Sequence, residues 1–126
     1  MIANLMAGAN MILATIAGST IGTALAHHAP ETAVCDTYRI TGYSVAAYPG
    51  RTADGSTTTT GAMARGEWIA AASYNIPFGA QVEIEGIGTY RVVDRGHLGA
   101  RHIDVLVMTD AEAYALTSTR RACWWT

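Results

Sequence analysis

The chain has 126 residues, half of them hydrophobic and 14% charged, with a formal net charge of −2. That is room for one domain, too apolar for a disordered chain, and without the basic surplus that grips a nucleic-acid backbone. All 8 basic residues are arginine, so no lysine is present to form a Schiff base or to hold a P-loop phosphate.

Residues 1–30 carry no Asp, Glu, Lys or Arg, and the first charge is Glu31. From Ile2 to Ala26 the chain is rich in Ala, Gly, Ile, Leu and Met. This stretch is expected to be a hydrophobic leader helix, about as long as the ~20 residues that cross a bilayer. It ends in Ala24-Leu25-Ala26, the small-x-small pattern cut by signal peptidase. A signal peptide over 1–26 is therefore expected, with a retained membrane tether through residues 2–26 as the alternative. The missing Lys or Arg at its start is the departure from a standard signal, and a buried helix of a cytosolic domain is the third reading. Residues 27–37 read as a linker. Cys35 and Cys123 bracket nearly all of the chain beyond the leader, and in an oxidising compartment such a pair reads as a disulfide. In the chain-entropy model a bridge over that length stabilises by roughly 4 kcal/mol. Two unrelated buried thiols are the alternative.

From Tyr38 the pattern changes to that of strands. Tyr38 to Val45 mixes aromatic, β-branched and polar residues. Pro49-Gly50 and Asp54-Gly55 are turn dipeptides, and Ser56 to Gly61 reads as a polar loop. Trp68 to Ala72 suits a buried strand, and Ile76-Pro77-Phe78-Gly79 suits a turn. Val82 to Glu85, a turn at Gly86-Ile87-Gly88, and Thr89 to Val93 make a hairpin. His102 to Val107 is a strand with Ile103, Val105 and Val107 on one face and Asp104 and Leu106 on the other. Thr109-Asp110-Ala111-Glu112 has the form of a capping box and starts the one expected helix. Arg120 to Trp125 is the last strand. Short strands with a single helix predict a mainly β fold, a small closed barrel over 38–126.

The run Gly88-Thr89-Tyr90-Arg91-Val92-Val93-Asp94-Arg95-Gly96-His97-Leu98-Gly99-Ala100-Arg101-His102-Ile103-Asp104-Val105 resembles the signature of the bacterial three-aspartate (3D) domain. Ile40 to Ser44, Thr52 to Gly55, Trp68 to Ala71 and Ile76 to Gly79 agree with it in order, so the resemblance covers about residues 38–125. It extends to the rare lipoprotein A family, with its Leu-Pro-Phe-Gly turn and Asp-Arg-Gly segment. Both belong to the double-psi β-barrel class, with expansins and the catalytic domain of membrane-bound lytic transglycosylase A. The resemblance implies a double-psi β-barrel that acts on bacterial peptidoglycan as a lytic transglycosylase. Two family aspartates match, at Asp94 and Asp104. The first falls at Ala72, and the histidine of the lipoprotein A family falls at Ser73.

Hydrolysis of a glycosidic bond normally takes two carboxylates, whereas lytic transglycosylation can work with one. The substrate's own C6 hydroxyl attacks C1, so one carboxyl can protonate the leaving oxygen and then accept the hydroxyl proton. The resemblance makes Asp104 that acid/base, which requires a raised pKa, with Asp94 supplying a like charge or orienting a loop. On periodicity alone Asp104 is a surface residue, and Asp94 is equally a turn residue. Tyr43, Arg95, His97 and Arg101 are the candidate substrate-binding residues: the ring for sugars, the guanidinium groups for stem-peptide carboxylates. The alternatives are barrel core for Tyr43, Tyr48 and Trp68, and surface ion pairs for the arginines. His97 and Asp104 are seven apart, as are the first two zinc ligands of D-alanyl-D-alanine peptidases. The glycine and alanine of that family are replaced by Ala100 and His102, so no metal and no cofactor is expected. The expected function is an exported, monomeric enzyme on peptidoglycan glycan strands, in periplasm, wall or medium. The alternative is a non-catalytic glycan-binding or wall-loosening module of the same fold.

Overall fold

The computed structural model describes residues 28–96 and 98–126; the expected leader over 1–26 and His97 lie outside the described residues. The strands are β1 (Val34–Ser44), β2 (Ile69–Ala72), β3 (Gln81–Ile84), β4 (Gly88–Asp94), β5 (His102–Val107) and β6 (Ser118–Trp125). They close into a six-stranded barrel in the order β1-β5-β2-β4-β3-β6, as the sequence predicts for fold class. Two parallel pairs, β1 with β5 and β2 with β4, distinguish it from an up-and-down barrel.

Alternation explains the interior. Ile40, Ala70, Val82, Val92, Val105 and Ala122, one from each strand, are at most 1% exposed and belong to a single core. The opposite faces are not all wet. Tyr43, Ile69, Ala71, Val93 and Leu106 form a second buried cluster outside the barrel wall, closed by Ala62. This is why Leu106 is buried although it alternates with the inward residues of β5.

Ala62 sits on a helix that begins inside the expected polar loop. α1 (Thr59–Ala64) starts within the Ser56–Gly61 run, its N-cap Thr58 accepting a hydrogen bond from the Gly61 amide. The threonine run has low helix propensity, and burial of Ala62 against the second cluster overrides it. The described residues thus contain two short helices rather than one. α2 (Asp110–Leu116) is the expected one, with the capping box of Thr109 and Glu112 formed in both directions.

β1 begins at Val34, inside the expected linker, because β6 runs back along it from Ser118 to Trp124. Cys35 lies opposite Cys123 in that pairing, and the two form the expected disulfide across 88 residues. α2 packs on β1 at Gly42, where an added Cβ would stand 2.7 Å from the Ala113 Cα. That neighbour is backbone and cannot swing aside. Gly42→Ala is therefore expected to destabilise by roughly 1–3 kcal/mol, read as a lower midpoint in urea unfolding.

Candidate active site

Four adjacent strands place the two aspartates. Asp94 on β4 and Asp104 on β5 both register with Ala71 on β2, and Asp104 also registers with Thr41 on β1. Simple alternation after Val92 would send Asp94 into the barrel. A register shift between Ala70 and Ala71 prevents this, because β4 carries one extra residue there. Such a bulge re-aims the side chain at a strand end. Asp94 and Asp104 consequently line one cleft of about 520 Å³, with Tyr43, Ala71, Tyr48 and Leu98.

Asp104 is half-buried in the cleft lining. Thr41 Oγ1 donates to its Oδ1 at 2.8 Å, and the same hydroxyl oxygen lies 2.8 Å from His102 Nε2. Burial raises the Asp104 pKa above the usual carboxylate value. The Thr41 hydrogen bond and the nearby imidazole work against that, the negative charge of Asp94 works with it, and the net direction is upward.

Asp94 accepts hydrogen bonds at both carboxylate oxygens. Its Oδ1 accepts from the amides of Ala53 and Arg95, both at 3.0 Å, and its Oδ2 accepts from the Tyr43 hydroxyl at 3.3 Å. One carboxylate thereby ties the 52–55 turn and the start of the 95–101 loop to the end of β4. Tyr43 is 8% exposed, so it belongs to the second core rather than to an open stacking surface. Burial first, then the charges of Asp94 and Asp104, push its hydroxyl pKa far up, which keeps it a donor. The exposed ring at the cleft is Tyr48, 62% accessible and edge-on to Tyr43 with centroids 6.1 Å apart.

Arg95 lines the cleft, but its guanidinium is already held. Its Nη2 donates to the Ile76 carbonyl at 2.8 Å and its Nη1 to the Ala72 carbonyl at 3.2 Å. The Phe78 and Tyr74 ring centroids lie 4.1 and 5.2 Å away. The group pins the Ile76–Gly79 turn, where Gly79 takes φ +87°, to the end of β2. A lysine cannot make that planar fork or that stack. Arg95→Lys is expected to lower stability by roughly 1–3 kcal/mol, measured by thermal unfolding.

Arg101 pairs with Asp36 at 3.2 Å, exposed on both sides, and is not part of the cleft wall. Ala72, where the sequence resemblance would place an aspartate, is fully buried in the barrel interior; the small residue facing the cleft is Ala71. Ser73 is buried too, and its hydroxyl donates to Asn75. Thr41 and His102 are the site residues that sequence reasoning missed.

A second cleft of about 530 Å³ lies between Trp68, Tyr90, Leu106 and Met108. Its acids are committed elsewhere: Glu67 pairs with Arg65 and Arg91, and Glu112 closes the capping box. Among the described residues no three His, Cys, Asp or Glu side chains group in a way that could hold a metal ion. Comparison with family models, with curated proteins and with solved structures finds no match to this chain.

Proposed function

We propose that this chain is an exported enzyme that cleaves peptidoglycan glycan strands by lytic transglycosylation, with Asp104 as its single acid/base. The observation that carries the reading is the inequality of the two carboxyls in one cleft. Asp94 accepts three hydrogen bonds from its own fold, whereas Asp104 is half-buried and holds its proton above the usual range. A two-carboxylate hydrolase needs its second acid free to activate water or attack carbon. Asp94 is not free, and transglycosylation needs only one.

In that reaction the Asp104 carboxyl gives its proton to the glycosidic oxygen as the C1–O bond breaks. The C6 hydroxyl of the same sugar then bonds to C1, and its proton passes to the Asp104 carboxylate, which restores the acid. The attacking hydroxyl is already part of the substrate, and such reactions reach effective molarities of about 10⁵–10⁸ M. Asp94 keeps Tyr43 and the neighbouring loops in place, and the Tyr48 ring offers a sugar-stacking face. Export rests on the leader sequence, with which a disulfide is compatible.

A second reading, a non-catalytic glycan-binding module, is favoured by the alanine that stands at the first family aspartate position, Ala72. Incubation of the full-length protein with purified sacculi, followed by pelleting, separates the two. The enzyme releases soluble muropeptides. Co-sedimentation with an intact pellet and no released material would replace it with the binding module.

A further inference from the structure

We propose that His102 and Thr41 form a proton relay that loads Asp104 from solvent, which makes them positioning residues of the site. The relay gives a route to the acid that does not pass through the glycan-binding cleft, and it rests on the reading of Asp104 as that acid. Three groups on two neighbouring strands carry it. His102 and Asp104 are two residues apart on β5, hence on one face, and Thr41 of β1 stands between them. Its hydroxyl is 2.8 Å from each. Neither Thr41 nor His102 is part of the cleft wall.

A hydroxyl has one proton to donate, so its two contacts cannot both be donations. With Asp104 ionised, Thr41 donates to the carboxylate and accepts from His102 Nε2–H. A proton arriving at Nδ1 starts the transfer. The Nε2–H bond breaks as a new Thr41 O–H forms, the former Thr41 O–H breaks as the Asp104 O–H forms, and no charge is left over. Asp104 ends protonated, the imidazole ends neutral as the Nδ1–H tautomer, and Thr41 now donates to Nε2.

The surroundings bring the proton affinities of the two groups closer together. Burial lowers the His102 pKa, with the Arg39 charge acting the same way against Asp104; burial raises that of Asp104, aided by Asp94. Tyr43, a neutral donor to Asp94, lies within reach of the Asp104 charge, and β2 presents no titratable side chain. The cleavage reaction returns its proton to Asp104 at each turnover. The relay therefore sets the starting protonation rather than the turnover.

The test is an NMR titration of the full chain without substrate, reading the Asp104 carboxyl carbon and both His102 ring nitrogens. The relay requires that, as pH falls, the first proton taken up rests on Asp104, while the imidazole stays neutral and changes from the Nε2–H to the Nδ1–H tautomer. Thr41→Val is expected to abolish the tautomer change while Asp104 still titrates, and Thr41→Ser to retain it. Formation of imidazolium in that step with Asp104 still ionised overturns the relay. So does a single tautomer throughout, or a tautomer change that survives in Thr41→Val. Because no glycan is present, failure here is distinct from failure to cleave sacculi.

Discussion

Asp104→Asn is expected to reduce release of muropeptides from sacculi by at least the 10²–10⁴-fold that general acid–base catalysis supplies. Asparagine keeps the size of the side chain and can still accept the Thr41 hydrogen bond, so the fold is retained and only the acid is lost. The same variant is expected to be more stable than the parent at neutral pH. The sign follows from the raised pKa of Asp104 in the folded protein. In that case the native state binds more protons than the unfolded chain between the ordinary and the raised value. Stability is then fully present below the ordinary carboxylate pKa and is lost as pH rises through the folded one. Replacing the carboxyl removes that loss. Melting curves should therefore show Asp104→Asn above wild type at pH 7 and the gap closing in acid. A gap that widened in acid would mean that the folded site favours the carboxylate.

Loss of the Cys35–Cys123 bridge has the largest expected effect on stability. The bond closes 88 residues and sits on the β1–β6 seam that completes the barrel. In the chain-entropy model a loop of that size is worth about 4–5 kcal/mol. For a domain near 100 residues each kcal/mol moves Tm by about 4–8 °C, so the fall should be on the order of 15 °C or more. Thermal unfolding with and without reductant, and of the Cys35→Ser, Cys123→Ser double variant, measures it. The double variant and the reduced protein should melt together. Equal melting of reduced and oxidised wild type would show that the bridge contributes nothing.

The parts of the fold that depend on neighbours in sequence were legible. Alternation marked the β3–β4 hairpin, and Thr109 with Glu112 marked the start of α2, because a capping box is a local device. α1 was not legible: its threonines read as loop, and the burial of Thr59 and Ala62, which depends on distant strands, favours the helix. Asp94 and Asp104 were found through a motif resemblance, but their surroundings were not. Thr41 is 63 residues from Asp104 and meets it only through the parallel β1–β5 register, which has no signature in a single sequence. The bulge that turns Asp94 outward is likewise a property of paired strands. Arg95 and Arg101 were expected at the substrate. The first holds the Ile76 and Ala72 carbonyls and the second the Asp36 carboxylate, and backbone carbonyl partners cannot be read from residue types.

The most direct test of the central claim is mass spectrometry of the fragments that the full-length protein releases from purified sacculi, with Asp104→Asn in parallel. Wild type is expected to release muropeptides ending in an intramolecular anhydro sugar, one water lighter than the hydrolysed form, and the variant none. Hydrated ends would mean that water, and hence a second acid, takes part. Equal release by both proteins would remove Asp104 from the chemistry and contradict the account.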